Sequence, residues 1–386
     1  MSPRRLAVAV AVTALLAVGL IVVLTGGSPE TGGPDPVGVR TVPASIAADC
    51  SENVQDELGR FFAAVPDGTT VRFRPGGCYA ANHRIEVRDK TGLTIDGNGS
   101  TFKTTSANTG KSEANPNWLL LRGRNLVIRD MKIVGNFHLT GTRSQQRVNQ
   151  ASTEGEAGAT SQPNAGIGIY GGDGITVRDV DIRDVFGDGV LTGVSEYVDG
   201  SVASQTPRDV RVERVTATKT ARHCFSPNQV IGFWLEKSVG KDCWYGALDA
   251  ELDDPEQQLQ DVHLIDNTFS DFNMLGIFVP VAGDGGNTRD IEIRGNTFLT
   301  PPDQPCNTVI EIGAYPMNPN TIRNVVVEDN TLKAHGVGIA FDHVQGGRIR
   351  GNRIDYEEKG CSLPKATPPV RVTNSSGVTV QDNRRR

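Results

Sequence analysis

The stretch Ile291-Glu-Ile-Arg-Gly-Asn296 contains the pattern that decides the fold: apolar, any residue, apolar, two residues, asparagine. Five further copies of the pattern end at Asn98, Asn267, Asn330, Asn352 and Asn383. One of them, the copy at Asn352, lacks the first apolar residue. Weaker copies without asparagine centre on Ile128, Val177, Val212 and Leu235. The alternation inside each copy predicts a β-strand rather than a helix.

The spacing of the copies indicates a repeat protein. The shortest intervals are 22 residues, from Val327 to Ile349, and 23 residues, from Val212 to Leu235, and longer intervals contain polar insertions. A short period with variable insertions is typical of a solenoid. The sequence therefore predicts an all-β parallel β-helix of about ten coils over residues 48–386. We expect each asparagine to take the left-handed conformation of a tight corner and to bond the asparagine of the next coil.

The N-terminal segment predicts export. Arg4 and Arg5 precede an uncharged apolar run from Leu6 to Leu24, which is long enough to reach across a bilayer. We expect residues 1–27 to be a signal peptide or an uncleaved anchor, and residues 28–47, rich in Gly and Pro, to be a flexible linker. An amphipathic pattern over about 52–65 predicts a helix that caps the first coil.

The composition agrees with a turn-rich β protein. Of 386 residues 44 are Gly and only 6% are aromatic, and the net charge of −6 is spread over mixed signs. Without a basic stripe, no nucleic-acid partner is predicted. Six cysteines favour an oxidising location, and although six allow fifteen pairings, their order suggests three disulfides. These pairs are Cys50 with Cys78, Cys224 with Cys243, and Cys306 with Cys361.

The region after residue 50 resembles a known family. The segment from Asp67 to Tyr79, followed by Leu93-Thr-Ile-Asp-Gly-Asn-Gly99, is similar to the start of bacterial, exported, pectin-lyase-like proteins. The resemblance implies a right-handed parallel β-helix. It restricts the function only loosely, because that fold occurs in lyases, hydrolases, epimerases and phage adhesins.

Candidate site residues follow from the repeat register. Asp188 lies eleven residues after Val177, and His223 lies eleven residues after Val212, so we expect Asp188 and His223 to stack one coil apart. Arg222 precedes His223, and Tyr245 should lie one coil on from Arg222. In the following coil, Asp249 and Glu251 alternate with apolar residues and should both point outward.

These residues suggest a carbohydrate site. We predict Asp188, His223, Asp249 and Glu251 as catalytic residues, with Arg222, Tyr245 and Trp244 binding substrate. Gly-Asp-Gly-Val, Arg-His and Asp-x-Glu together resemble a pattern of bacterial β-helix repeat proteins that are presumed to act on carbohydrates. Here Leu252 follows the glutamate where that pattern has proline, and the motifs typical of polygalacturonases are absent.

Three functions remain open from the sequence. Paired carboxylates favour a glycoside hydrolase. A uronate lyase would use His223 or Tyr245 as base. Arg222 would neutralise the substrate carboxylate, or Ca²⁺ would do so, bound by Asp249, Glu251, Asp253 and Asp254. A non-catalytic glycan-binding surface protein is the third possibility. No other cofactor or metal is predicted, a monomer is favoured, and only the N-terminal segment is expected to contact a membrane.

Overall fold

The computed structural model describes residues 38–106, 116–137, 165–195, 198, 200, 205–252, 257–272, 275–281, 287–300, 308–314, 322–356 and 368–385. These residues form one helix and thirty strands: β1 (Val39–Thr41), β2 (Asp49–Asn53), α1 (Gln55–Ala64), β3 (Thr70–Arg72), β4 (Cys78–Ala80), β5 (Arg84–Arg88), β6 (Thr94–Lys103), β7 (Asn117–Leu121), β8 (Arg124–Val134), β9 (Ile167–Tyr170), β10 (Asp173–Arg183), β11 (Val190–Gly193), β12 (Arg208–Thr218), β13 (Phe225–Pro227), β14 (Ile231–Glu236), β15 (Val239–Lys241), β16 (Gly246–Asp249), β17 (Gln258–Ile265), β18 (Thr268–Ser270), β19 (Leu275–Val281), β20 (Asn287–Arg294), β21 (Thr297–Leu299), β22 (Ile310–Ala314), β23 (Ile322–Glu328), β24 (Thr331–Ala334), β25 (Ile339–Asp342), β26 (Val344–Arg350), β27 (Arg353–Tyr356), β28 (Val370–Thr373), β29 (Ser376–Gln381) and β30 (Arg384–Arg385).

All strand pairs of the described residues are parallel. One sheet contains ten strands in the order β5–β7–β9–β11–β13–β16–β19–β22–β25–β28, with one strand from each coil. The other twenty strands form a second continuous sheet around the rest of the tube. The chain is thus a right-handed parallel β-helix of ten coils, which confirms the predicted fold class.

The core is a stack of apolar rows inside the tube. One row passes through Ile128, Val177, Val212, Leu235, Leu264, Ile293, Val327 and Ile349. Each member is at most 1% exposed. Burial of such a side chain contributes about 1.5–3 kcal/mol, so the repeated row is a main source of stability. Its register confirms that the anchors used to align the coils are equivalent.

The predicted asparagine ladder is present in five consecutive coils. Asn267 Nδ2 donates to Asn296 Oδ1 (2.9 Å), and Asn296 Nδ2 donates to Asn330 Oδ1 (3.0 Å). The same bond joins Asn330 to Asn352 and Asn352 to Asn383, each at 2.9 Å. Each side chain also bonds backbone groups of adjacent coils, so the ladder fixes the register of the C-terminal half.

The left-handed residue of these corners differs from the prediction. It is the residue before the asparagine, with φ of +55° at Asp266, +69° at Gly295 and +54° at Asp329. The asparagine side chain bonds the neighbouring coils, and the preceding Asp or Gly makes the turn, since both tolerate positive φ. Asn98 is different, because its own φ is +51° and its Nδ2 donates to the Phe73 carbonyl.

The coils without asparagine keep the same corner. The equivalent residues there also have positive φ and are Asp130, Asp179, Arg214 and Lys237. In the last of these coils Ser238 replaces the asparagine, because the Val215 N–H donates to Ser238 Oγ and the Ser238 N–H donates to Asn267 Oδ1. Loss of the asparagine therefore changes the side-chain bonds of the corner and leaves its backbone conformation unchanged.

The N-terminal boundary of the β-helix is earlier than the sequence predicted. Strand β1 (Val39–Thr41), placed in the flexible linker by the prediction, pairs in parallel with β3. Val42 and Ile46 are 6% and 7% exposed and pack in the core. These two apolar side chains explain why the segment is ordered against the first coil rather than free.

Helix α1 caps this end of the tube, close to its predicted span of 52–65. Leu58 and Phe62 are fully buried against the first coils. The predicted Cys50–Cys78 disulfide is present, with 5.0 Å between the Cα atoms, and it joins β2 to β4. The helix therefore closes the apolar end as expected.

Several predictions fall outside the described residues. They concern the signal or anchor segment 1–27, the start of the linker, and the Cys306–Cys361 pair. Within the described part of the chain, the helix is too short and too polar to cross a membrane.

Candidate functional site

Asp188 and His223 occupy equivalent positions in adjacent coils, just before β11 and β13. Val190 pairs with Phe225, and the Gly189 N–H donates to the His223 carbonyl. The His223 N–H donates to Asp188 Oδ1 at 2.9 Å, and the ring Nδ1 lies 3.3 Å from the same oxygen. The predicted stacking of Asp188 on His223 is confirmed.

Arg222 and Tyr245 lie beside this pair. The Tyr245 N–H donates to the Arg222 carbonyl at 3.0 Å, so these residues are one coil apart, as predicted. Arg222 Nε lies 3.7 Å from Asp188 Oδ1, and the arginine side chain is 14% exposed. The centroids of the Tyr245 and His223 rings are 5.3 Å apart. The imidazole therefore contacts both a carboxylate and an aromatic ring.

Asp249 joins the same group of side chains, whereas Glu251 does not. Both point to the outer face, because the alternate residues of their coil are buried in the tube. Asp249 Oδ2 lies 3.9 Å from His223 Nδ1. Glu251 is one alternation further along the coil, where its N–H donates to Asn228 Oδ1. We call Asp188, Arg222, His223, Tyr245 and Asp249 the His223 cluster.

The predicted pair of exposed carboxylates requires a correction. Asp249 is only 3% exposed, whereas Glu251 is partly exposed. The reason is that Asp249 belongs to a buried row on the outer face of the ten-stranded sheet. Leu191 pairs with Ser226 in that row. Phe225 pairs with Leu248, so the next residues, Ser226 and Asp249, lie opposite each other. The carboxylate that accompanies Asp249 is Asp188.

The charge state of Asp188 is set by its neighbours. Burial raises the pKa of this carboxyl, but the Arg222 guanidinium, with the hydrogen bond and charge of His223, outweighs burial and holds the pKa below its usual range. Asp188 Oδ2 has no hydrogen-bond partner among the described residues. Asp188 is therefore an ionised carboxylate with one oxygen engaged and the other available.

Tyr170 extends the cluster toward the N-terminal coils, and sequence reasoning missed it. Its ring lies over two glycines of the outer face, since a Cβ on Gly168 or Gly193 would approach the ring within 2.8 or 3.0 Å. Burial raises the pKa of Tyr170 far above its usual range, the Asp188 charge adds to this, and two arginines partly oppose it. The phenol is thus a neutral O–H group that interacts electrostatically with Asp188.

A signal for the missed residues was present in the strand alternation. Tyr170 follows two glycines at alternate positions in Gly166-Ile-Gly-Ile-Tyr170, and only small residues leave room for a ring lying against the sheet. Ser226 lies one residue past the inward Phe225, opposite Asp249. Extending the predicted register to the outward residues beside the anchors would have found both.

A disulfide fixes the backbone of the cluster. Cys224 follows His223, and Cys243 lies two residues before Tyr245. The predicted Cys224–Cys243 bond is present, both sulfurs are buried in the tube, and the Cα atoms are 5.5 Å apart. The bond therefore joins the two coils that present His223 and Tyr245.

The tryptophans do not form an open platform for sugars. Trp118 is fully buried in the core, and Trp244, predicted to bind substrate, is 4% exposed. Trp234 is partly exposed on the other sheet, but the Arg211 guanidinium lies 4.2 Å from its ring centroid and His263 stacks on it at 5.3 Å. Burial in the core accounts for Trp118 and stacking by other side chains for Trp234, and the role of Trp244 in substrate binding stays a prediction.

The cluster can support acid–base chemistry by side chains alone. It contains two carboxylates, an imidazole, a guanidinium and a phenol on adjacent coils. Among the described residues, no three His, Cys, Asp or Glu side chains are arranged to hold a metal ion. Asp253 and Asp254, two of the four possible Ca²⁺ ligands, lie outside the described residues.

Comparison with solved structures supports the fold. The chain is similar to the surface protein and adhesin PfbA of Streptococcus pneumoniae, with a TM-score of 0.54 and 10% identity over 88% of this chain and 95% of that one. At this identity the likeness shows the fold alone, and it agrees with the expected pectin-lyase-like β-helix. No protein-family model and no curated protein matches the sequence.

Weaker similarities extend to glycosidases. A family 28 exopolygalacturonase of Yersinia enterocolitica has a TM-score of 0.43 and 12% identity, over 90% of this chain and 78% of that one. The catalytic domain of a GH87 α-1,3-glucanase has a TM-score of 0.46 and 13% identity, over 92% and 67%.

Proposed function

We propose that the chain is a carbohydrate-active β-helix enzyme that hydrolyses glycosidic bonds of a polysaccharide. One observation supports this proposal above the others: His223 Nδ1 lies 3.3 Å from Asp188 and 3.9 Å from Asp249. The two nearest carboxylate oxygens are therefore no more than about 7 Å apart, a separation compatible with the paired carboxyl groups of glycosidases.

The surroundings of Asp188 support one division of roles between the two carboxyl groups. Arg222 and His223 keep Asp188 ionised, so Asp188 is the base or the group that stabilises positive charge on the sugar. Asp249 is then the proton donor to the leaving oxygen. His223 lies between the two carboxyl groups and holds them in position. Glu251 lies at the margin of this arrangement, where it can contact a longer substrate.

The assay is release of reducing ends from a panel of neutral and acidic polysaccharides. We expect Asp188→Asn and Asp249→Asn to lower kcat at least a hundred-fold on the polymer that the wild type cleaves, because each removes one partner of the acid–base pair. Glu251→Gln is the matched control and should keep most of the activity. Equal activity of the wild type and both Asp variants would refute this mechanism.

A uronate lyase is the second candidate, favoured by the state of Arg222. Its guanidinium is mostly buried, yet it makes no hydrogen bond to the described residues, and Asp188 lies 3.7 Å away. Its N–H groups are thus available for a substrate carboxylate, which arginine binds in bidentate fashion. A lyase product has a new unsaturated bond, so ultraviolet absorbance during cleavage of a polyuronate would select this reaction, and cleavage without absorbance would select hydrolysis.

A non-catalytic glycan-binding role is the remaining candidate, and an adhesin is among the proteins with this fold. Binding of a polysaccharide that is unaffected by Asp188→Asn and Asp249→Asn, with no turnover by the wild type, would favour it. Under each candidate we place the protein outside the cytoplasm, because the two disulfides among the described residues are stable in oxidising surroundings.

A further inference from the structure

Ser226 has a buried hydroxyl on the outer face of the ten-stranded sheet, and the mechanism above gives it no role. It is 1% exposed, in the row between Leu191 and Asp249. Its Oγ has no hydrogen-bond partner among the described residues. The hydroxyl therefore lies on the same coil as His223, beside a proposed catalytic carboxylate, with its hydrogen-bonding capacity unused.

Packing does not account for a serine at this position. The preceding members of the row are Leu191 and Gly168, which need no polar neighbour. An alanine would occupy almost the same volume, and a buried hydroxyl without a partner is less favourable than a methyl group. What a hydroxyl adds at Ser226 is the capacity to bond a group that arrives from outside the chain.

The unused hydrogen bond alone does not mark a site. Thr288 and Thr300 also have buried hydroxyls without a partner in the described chain, and neither belongs to the His223 cluster. Ser226 differs by its place, because the strand register puts it directly beside Asp249, on the outward face of the sheet. Thr288 is thus a natural control for the loss of an unpaired hydroxyl.

We propose that Ser226 is a specificity-determining residue whose hydroxyl bonds a ring hydroxyl of the sugar unit lying against Asp249. A sugar hydroxyl both donates and accepts, as serine does, so the pair matches in either direction. The inference rests on the proposed action on polysaccharides. It adds that the sugar unit beside Asp249 presents a free hydroxyl group to the coil that contains His223.

The test uses native gel electrophoresis of the whole chain through gels containing polygalacturonate, a neutral α-glucan or a neutral β-glucan. Retardation at a series of polymer concentrations measures the dissociation constant. In the polymer that retards the wild type most, Ser226→Ala should bind roughly five-fold more weakly, the loss expected for one neutral hydrogen bond. Thr288→Val should bind like the wild type. In cleavage assays, the loss should fall on KM more than on kcat.

The outcomes separate the two proposals. If Ser226→Ala binds and cleaves like Thr288→Val, the role of Ser226 is refuted, and hydrolysis by Asp188 and Asp249 stands. If the wild type binds a polymer but cleaves none, hydrolysis is refuted, while weaker binding by Ser226→Ala still supports the contact. If the wild type neither binds nor cleaves any of the polymers, both proposals are refuted. A fall in kcat at constant KM would also contradict a specificity contact.

Discussion

Asp188 shows how a carboxylate on the outer face of a β-helix can stay charged although it is buried. Its carboxylate is 1% exposed, and the coil that follows supplies both of its partners, Arg222 and His223. A buried ion usually costs several kcal/mol unless it is paired and hydrogen-bonded. Here the pairing depends on the register between two coils, so the charge is tied to correct stacking.

We predict that Asp188→Asn destabilises the protein by about 3 kcal/mol. The variant leaves the Arg222 guanidinium mostly buried without its carboxylate, and breaking a buried pair is costly. The measurement is the free energy of unfolding in urea. Asp179→Asn is the matched control, because Asp179 pairs with Arg214 in an exposed position and should matter little. Similar losses in the two variants would show that the contribution of Asp188 to stability does not depend on its burial.

The same residue predicts a pH dependence. Because the folded-state pKa of Asp188 is lowered, the unfolded chain takes up its proton first as the pH falls, so its stabilising contribution is present above the ordinary aspartate range, near 4, and is lost below it. The difference in unfolding free energy between wild type and Asp188→Asn should therefore shrink as pH is lowered from 6 toward about 3. A constant difference would contradict the assignment of an ionised Asp188.

At this scale, sequence reasoning found the contacts but not the burial. Asp188, His223 and Asp249 were selected because alternation and coil spacing give side-chain direction and neighbours. Direction does not determine exposure on an outer face. Ser226 was missed because the predicted register was applied to the inward residues and was not extended to the outward residues beside them.

At the scale of the element, the asparagine ladder combines two kinds of bond. Asn296 Nδ2 donates to the Leu264 carbonyl at 2.7 Å, and its Oδ1 accepts from the backbone N–H and the side chain of Asn267. The side chain therefore replaces strand hydrogen bonds where the backbone turns. This explains why β17 and β18 are separated by a ladder residue, whereas β12 continues through the equivalent position.

We predict that Asn296→Ala costs about 3 kcal/mol, because it leaves buried backbone groups of two coils without partners. Asn383→Ala should cost clearly less, since Asn383 is partly exposed and lies in the final coil of the described chain. Urea unfolding of both variants is the measurement. Equal losses at the two positions would contradict the effect of burial, and no loss at Asn296 would mean that the ladder has little influence on stability.

The strand register was predictable and the corner conformation was not. An apolar residue at a fixed distance from an asparagine marks both the strand and its partner in the next coil. Positive φ is adopted by Asp266, Gly295 and Lys237 at the same corner. Because such different residue types occupy this one backbone position, local sequence preference cannot identify it. The left-handed conformation was therefore assigned to the asparagine, which recurs more regularly.

At the scale of the whole molecule, the N-terminal end is closed by α1 and by an aromatic group beneath it. The Phe62 ring lies 5.5 Å from that of Trp118 and 6.3 Å from that of Phe73. An open end would expose this apolar surface together with unpaired strand edges. The cap was predictable from its amphipathic pattern, whereas the ordered strand β1 was not, because its Gly- and Pro-rich surroundings are typical of a linker.

We predict that Phe62→Ala destabilises the cap by about 3–5 kcal/mol and promotes association of the exposed ends. Size-exclusion chromatography with light scattering measures association, and fluorescence of buried Trp118 reports the local change. Phe61→Ala is the matched control on the same helix, because that ring is only partly buried. A monomeric Phe62→Ala protein with wild-type stability would show that the helix is dispensable.

The ladder also has a direction. In the bonds between ladder side chains, every asparagine from Asn267 to Asn352 donates to the asparagine of the next, C-terminal coil. Its Nδ2 also donates to a backbone carbonyl of the preceding coil. The ladder therefore restricts which coil can follow it. A coil grafted after Asn383 must present a hydrogen-bond acceptor oxygen at the ladder position. Designed coils with asparagine at the ladder position should therefore extend the β-helix, whereas coils with lysine at that position should not.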